Sequence, residues 1–135
     1  MTQTTFLPPT TTDLVRGFKR TSGQVATEEM GIQLIKEEYL EWREEVFITP
    51  PDYAAELKEL ADLVYVIYGY ADTMGWNLEE AIRRVHENNM GRMKQPDGSI
   101  LRREDGKIMK NIHYPKVFLA DLVKNQHNEE ETKNA

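Results

Sequence analysis

The sequence contains no cysteine. That excludes disulfides, zinc–thiolate sites, iron–sulfur clusters and cysteine nucleophiles, and it fits a reducing compartment such as the cytoplasm. Histidine is scarce, at 3 residues, and none completes a Glu-x-x-His pair, the ligand motif of helical di-iron bundles. Cations are in the minority. Lys and Arg number 17 against 23 Asp and Glu, a net charge of −6, which argues against a nucleic-acid partner. The most apolar stretch runs only from Leu63 to Ala71, far short of the roughly 20 residues that cross a membrane. The opening MTQTTFLPPT has neither the basic start nor the apolar centre of a secretory signal. No P-loop and no Ser/His/Asp pattern is present.

What remains suits a helical domain. The chain has 135 residues, 39% apolar and 30% charged, enough for one domain with a core. Residues 1–11, rich in Thr and Pro, read as an extended arm, and residues 125–135 as a loose polar tail. Between them, residues 12–124 read as a single all-α domain. Four helical patterns are expected: Asp13 to Arg20 with Asp13 as N-cap, Glu28 to Phe47 after Thr27, Asp52 to Met74, and Asn77 to Lys94. Asn77 with Glu80 has the form of a capping box. Pro50-Pro51 stops the second helix. The pattern then changes. Asp97-Gly98 and Asp105-Gly106 are turn signals, and Ile100-Leu101 with Ile108-Met109 suggest a small hairpin or ordered loop. Residues 95–116 form a basic arm, and Val117 to Val123 suggest a further helical turn or two. The expected fold is an antiparallel helical bundle of about four to five helices with a non-helical C-terminal arm. The stretch Leu63 to Ala71 is apolar all round, which implies burial on every side. In so short a chain that points to a subunit interface, a homodimer first and a tetramer second.

Charge is segregated. From Glu28 to Asp62 there are eleven acidic and three basic residues, and from Arg83 to Lys116 nine basic and four acidic. Two solvated surfaces would look the same, but helical position argues for more. At about 100° per residue, Leu34, Ile35, Tyr39, Trp42 and Val46 define an apolar arc. Glu38 falls inside it and Glu41 at its margin. On the next helix, Glu59 and Asp62 border the apolar stretch. Each pair has i,i+3 spacing and shares a helix face. If the two helices are antiparallel neighbours, four carboxylates converge, which is costly without a cation. All-oxygen ligands select Mg²⁺, Mn²⁺ or Ca²⁺.

The same residues carry a resemblance. Glu37-Glu38-Tyr39-Leu40-Glu41 has the form EExxE, and eighteen residues after Glu41 comes Glu59-Leu60-Ala61-Asp62, of the form ExxD. Together they resemble the signature of the all-α nucleoside triphosphate pyrophosphohydrolases: MazG, dimeric dUTPases, dCTP pyrophosphatases and phosphoribosyl-ATP pyrophosphohydrolase. Val85-His86-Glu87-Asn88-Asn89-Met90 is similar to a VHxxNM stretch of MazG-like proteins. Arg103 to Lys107, with Lys110, resembles the basic arm of the small MazG-like subgroup. The family's usual Lys two residues after Asn-Met is replaced here by Arg92, with Lys94 following. The resemblance implies Mg²⁺, or Mn²⁺, held by Glu38, Glu41, Glu59 and Asp62. It also implies hydrolysis of a (d)NTP between its α- and β-phosphates, and a site completed by neighbouring subunits.

Roles for the other candidates follow. Glu37, or Glu41 itself, is the expected activator of the attacking water. Arg92, Lys94, Lys107 and Lys110 are expected phosphate contacts, and Asn89 a contact to base or sugar. Trp42 and Tyr65 are stacking candidates, with core packing the stronger expectation for Trp42. His86 is expected to pack rather than react, and Met30, Met90 and Met93 to lie in core or interface. Two other functions compete: the same chemistry on phosphoribosyl-ATP, and a non-enzymatic helical protein that docks a partner through its third helix.

Overall fold

The computed structural model describes residues 7–123. Most of the expected N-terminal arm and all of the expected tail lie outside them. The chain forms two compact units, one up to Trp76 and one from Asn77 onward.

The first unit holds three helices: α1 (Thr11–Ser22), α2 (Glu28–Val46) and α3 (Tyr53–Thr73). Their starts are set by side chains that satisfy the free N–H groups of the first turn. Asp13, expected as the cap of α1, lies inside the helix. Thr10 takes the cap, because its hydroxyl accepts from the Asp13 N–H at 3.1 Å while Asp13 accepts from the Thr10 N–H at 3.0 Å. That reciprocal pair outcompetes a cap by Asp13 alone. Thr27 caps α2 through the Met30 N–H, and Asp52 caps α3 through the Ala55 N–H, each at 3.1 Å. Gly23, at φ 68°, takes the left-handed turn that ends α1.

Helices α2 and α3 run antiparallel. Gly31, early in α2, packs on Tyr70 late in α3, while Glu38 and Glu41 meet Glu59 early in α3. Helix α1 packs on α3. Arg16 Nε donates to Asp72 Oδ1 at 2.7 Å, and Lys19 Nζ donates to Asp72 Oδ2 at 3.0 Å and to the Gly69 carbonyl at 2.9 Å. Burial pushes the Asp72 carboxyl up, but the two cations outweigh it and hold the group below its ordinary value. The Phe18 ring meets Tyr65 edge-on, centroids 6.1 Å apart. Among the described residues only Val15 and Ala71 are buried apolar side chains. The stretch from Leu63 to Tyr70 is therefore only partly covered, not buried on every side as its composition implied. Leu57, 65% exposed, and Leu60 and Val64 form an uncovered apolar row on α3.

The second unit is α4 (Leu78–Arg92) with an arm strapped along it. Asn77 accepts from the Glu80 N–H at 3.1 Å. The Glu80 carboxylate, expected to return to Asn77, instead takes Arg83 and Arg84 at 2.6 and 2.8 Å. These two guanidiniums hold it down at about 2. Helix α4 ends at Arg92, short of the expected Lys94: the Gln95 N–H turns to the Ser99 carbonyl at 2.8 Å and Pro96 has no N–H, so the Arg92 carbonyl is taken by the Asn111 N–H instead, at 2.8 Å. The strands β1 (Leu101–Arg102) and β2 (Ile108–Met109) pair antiparallel, closed by a turn at Gly106, φ 88°. Tyr114 lies against Gly91, Asn88 Nδ2 donates to the Pro115 carbonyl at 2.8 Å, and Arg84 grips Asp121 at 2.6 and 2.9 Å. A single 3-10 turn, Ala120–Leu122, ends the described chain. No helix among the described residues is long and apolar enough to cross a membrane.

The contact between α2 and α3 gives a direct test. A Cβ on Gly31 would stand 2.7 Å from Tyr70 Cδ2, so the ring must move. Gly31→Ala should therefore lower unfolding free energy by about 1–3 kcal/mol despite alanine's better helix propensity. Gly17, in open space within α1, serves as the control: Gly17→Ala should stabilise by roughly 0.5–1 kcal/mol. Denaturant titration of both variants reads the difference.

Candidate metal centre

Four carboxylates were expected from the i,i+3 pairs, and three converge. One oxygen from each of Glu38, Glu41 and Glu59 lies within 4.8 Å of the others. Helix α2 supplies two of them from one face, and antiparallel α3 brings the third across. The trio is partly withdrawn from water. Glu38 Oε2 and Glu59 Oε2 are both buried with no hydrogen-bond partner, an arrangement that costs free energy unless something electropositive answers it. Burial raises the Glu38 carboxyl above its ordinary value of 4.5, and the neighbouring charges of Glu41, Asp62 and Glu59 raise it further. Hard oxygen donors with unanswered lone pairs fit a divalent cation such as Mg²⁺ or Mn²⁺.

The fourth expected ligand, Asp62, stands apart from this converging set. It is close enough to bear on Glu38, but its Oδ2 is paired with Lys58 Nζ at 2.7 Å. Lys58 also reaches Glu59 Oε1 at 3.4 Å. Lys58 is a partner that the acidic spacing alone did not single out, although its position four residues before Asp62 was an available signal.

The remaining candidates divide between the two units. Glu37 is exposed and accepts from Gln33 Nε2 at 3.1 Å. Trp42 is half-buried, its ring 6.0 Å from Tyr39, and its indole N–H is buried without an acceptor. Tyr65 helps line a cavity of about 90 Å³ with Val15, Phe18, Met30, Leu34 and Val66. Leu34 is one turn before Glu38 and Val66 one turn after Asp62 along their helices, but none of the four carboxylates lines this cavity. In the second unit, Arg92 is half-buried and its Nε is buried and unpaired. Asn89, Lys94, Lys107 and Lys110 are exposed. His86 is exposed as well, not packed as expected: it lies on the solvent side of α4. Met90 is 54% exposed, and so belongs to no core of this chain.

The raised Glu38 carboxyl has a pH signature. Below 4.5, the ordinary glutamate value, the group is neutral in folded and unfolded chains alike. Above its raised folded value it is charged in both and carries the full penalty of the site. In EDTA, Glu38→Gln should therefore melt higher than the native chain at neutral pH, and the gap should close as pH falls to about 4.5. Melting curves across that range check the sign.

A family model described as phosphoribosyl-ATP pyrophosphohydrolase matches residues 21–89, half of the chain, including both acidic helices. No curated protein matches the chain. The match spans both acidic helices, and the chain belongs to the phosphoribosyl-ATP pyrophosphohydrolase family, within the MazG-like all-α pyrophosphohydrolase superfamily.

Proposed function

We propose that this protein is a metal-dependent pyrophosphohydrolase that splits a nucleoside triphosphate between its α- and β-phosphates, releasing the monophosphate and pyrophosphate. The observation that carries the reading is the convergence of Glu38, Glu41 and Glu59 with two buried oxygens that nothing answers. These three, with Asp62 as the fourth, would hold Mg²⁺ or Mn²⁺, which when bound supplies charge neutralisation for phosphate oxygens and an acidified water.

The chain's own groups do the rest. Glu37 accepts the proton of the water that attacks the α-phosphorus, with Glu41 the competing base. Arg92, whose buried Nε lacks a partner, is the best supported phosphate contact, and Lys94, Lys107 and Lys110 add positive charge. Tyr65 and the apolar cavity it lines offer a place for a nucleobase. The unanswered Trp42 N–H offers a donor, and Asn89 a contact to base or sugar.

A second substrate is favoured by the family match itself. Phosphoribosyl-ATP carries the same triphosphate chain, so the same cluster and the same bond cleavage serve it. We also infer a homodimer, or a tetramer, because Leu57, Leu60 and Val64 leave an uncovered apolar row on α3. Sedimentation should show an assembled species; a sharp monomer overturns that inference.

Pyrophosphate release across the dNTPs, dUTP, the NTPs and phosphoribosyl-ATP, with Mg²⁺ and with EDTA, tests the activity and selects the substrate. Release should require metal and fall about a hundredfold or more in Glu38→Gln/Asp62→Asn. Metal-independent release, or none from any substrate, sinks the proposal.

A further inference from the structure

Lys58 is the one cation seen against the acidic cluster among the described residues. Its ammonium sits 2.7 Å from Asp62 Oδ2 and 3.4 Å from Glu59 Oε1, joining an oxygen of the converging trio to the one expected ligand that stands outside it. Within a helix, a basic residue placed four before an acidic one is the weaker order of such a pair. Helix geometry alone therefore gives little reason for this contact. The accumulated negative charge of Glu38, Glu41, Glu59 and Asp62 gives a stronger one.

We propose that Lys58 is a resident competitor for the cation site: its ammonium keeps Asp62 on the rim, and it must leave before Asp62 can join the metal ligands. This rests on the metal-centre reading above. A lysine ammonium exposed to water is charged at any working pH, so Lys58 does not vacate by losing its proton. It must swing away. The side chain is 67% exposed and Asp62 36%, so the ammonium can move into water without stranding a buried charge. In the metal-free enzyme it offsets part of the repulsion between the carboxylates. On loading it surrenders Asp62, so metal affinity is set below what the four carboxylates would give alone.

The test is calorimetric titration of the full chain with Mn²⁺ and with Mg²⁺, comparing native protein, Lys58→Gln and Lys58→Arg. Lys58→Gln should bind metal about three- to tenfold more tightly, since it removes both a competing charge and a repulsive one. Lys58→Arg should keep the native affinity. In EDTA, Lys58→Gln should melt below the native chain, and saturating Mn²⁺ should close or reverse that gap. Unchanged or weaker binding in Lys58→Gln overturns the role of Lys58 while leaving the metal centre standing. Absence of binding in all three proteins overturns the metal centre, and this role with it.

Discussion

Repulsion between like charges is the constraint on which this molecule turns. Antiparallel α2 and α3 bring carboxylates from both helices to one place, where two oxygens are buried and unanswered. A fold selected only for stability would have separated these groups or filled the site with apolar side chains. Here the helices are held together elsewhere: Gly31 admits Tyr70 at one end of the pair, and Asp72 ties α1 to α3 through Arg16 and Lys19. Those contacts let the acidic faces stay opposed.

The two sets of ionic contacts differ in kind. Asp72, Arg16 and Lys19 satisfy one another, and so do Glu80, Arg84 and Asp121 in the second unit. They hold segments in place. The acidic cluster is unbalanced: Lys58 faces Asp62 and one oxygen of Glu59, and Glu38 Oε2 and Glu59 Oε2 have nothing. Structural ion pairs close on themselves, whereas a site meant for a ligand keeps unsatisfied groups in reserve. Arg92 Nε and the Trp42 N–H are likewise buried without a partner.

The family match accounts for the acidic helices and stops at residue 89. The basic arm that follows is organised by its own contacts, with Tyr114 set into the space Gly91 leaves and Asn111 closing the end of α4. The shared portion holds both acidic helices, and the arm lies outside it.

Helical periodicity, proline and cap residues determined the four helices and their order, because those signals act within a few residues of chain. Spacing of three placed Glu38 with Glu41 and Glu59 with Asp62 on shared faces for the same reason. Two departures were equally local: the Asp13–Thr10 pair shifted the start of α1, and Glu80 turned from Asn77 to Arg83 and Arg84 on its own helix. What tertiary structure decided lay between segments. Composition marked Leu63 to Ala71 as wholly buried, yet within one chain only Ala71 of that stretch is. Asp62 was read as an equal fourth ligand, and the fold leaves it outside the converging trio, paired with Lys58 one turn before it on the same helix. Sequence spacing says which groups share a face; the distances between helices decide which of them meet, and which find a nearer charge first.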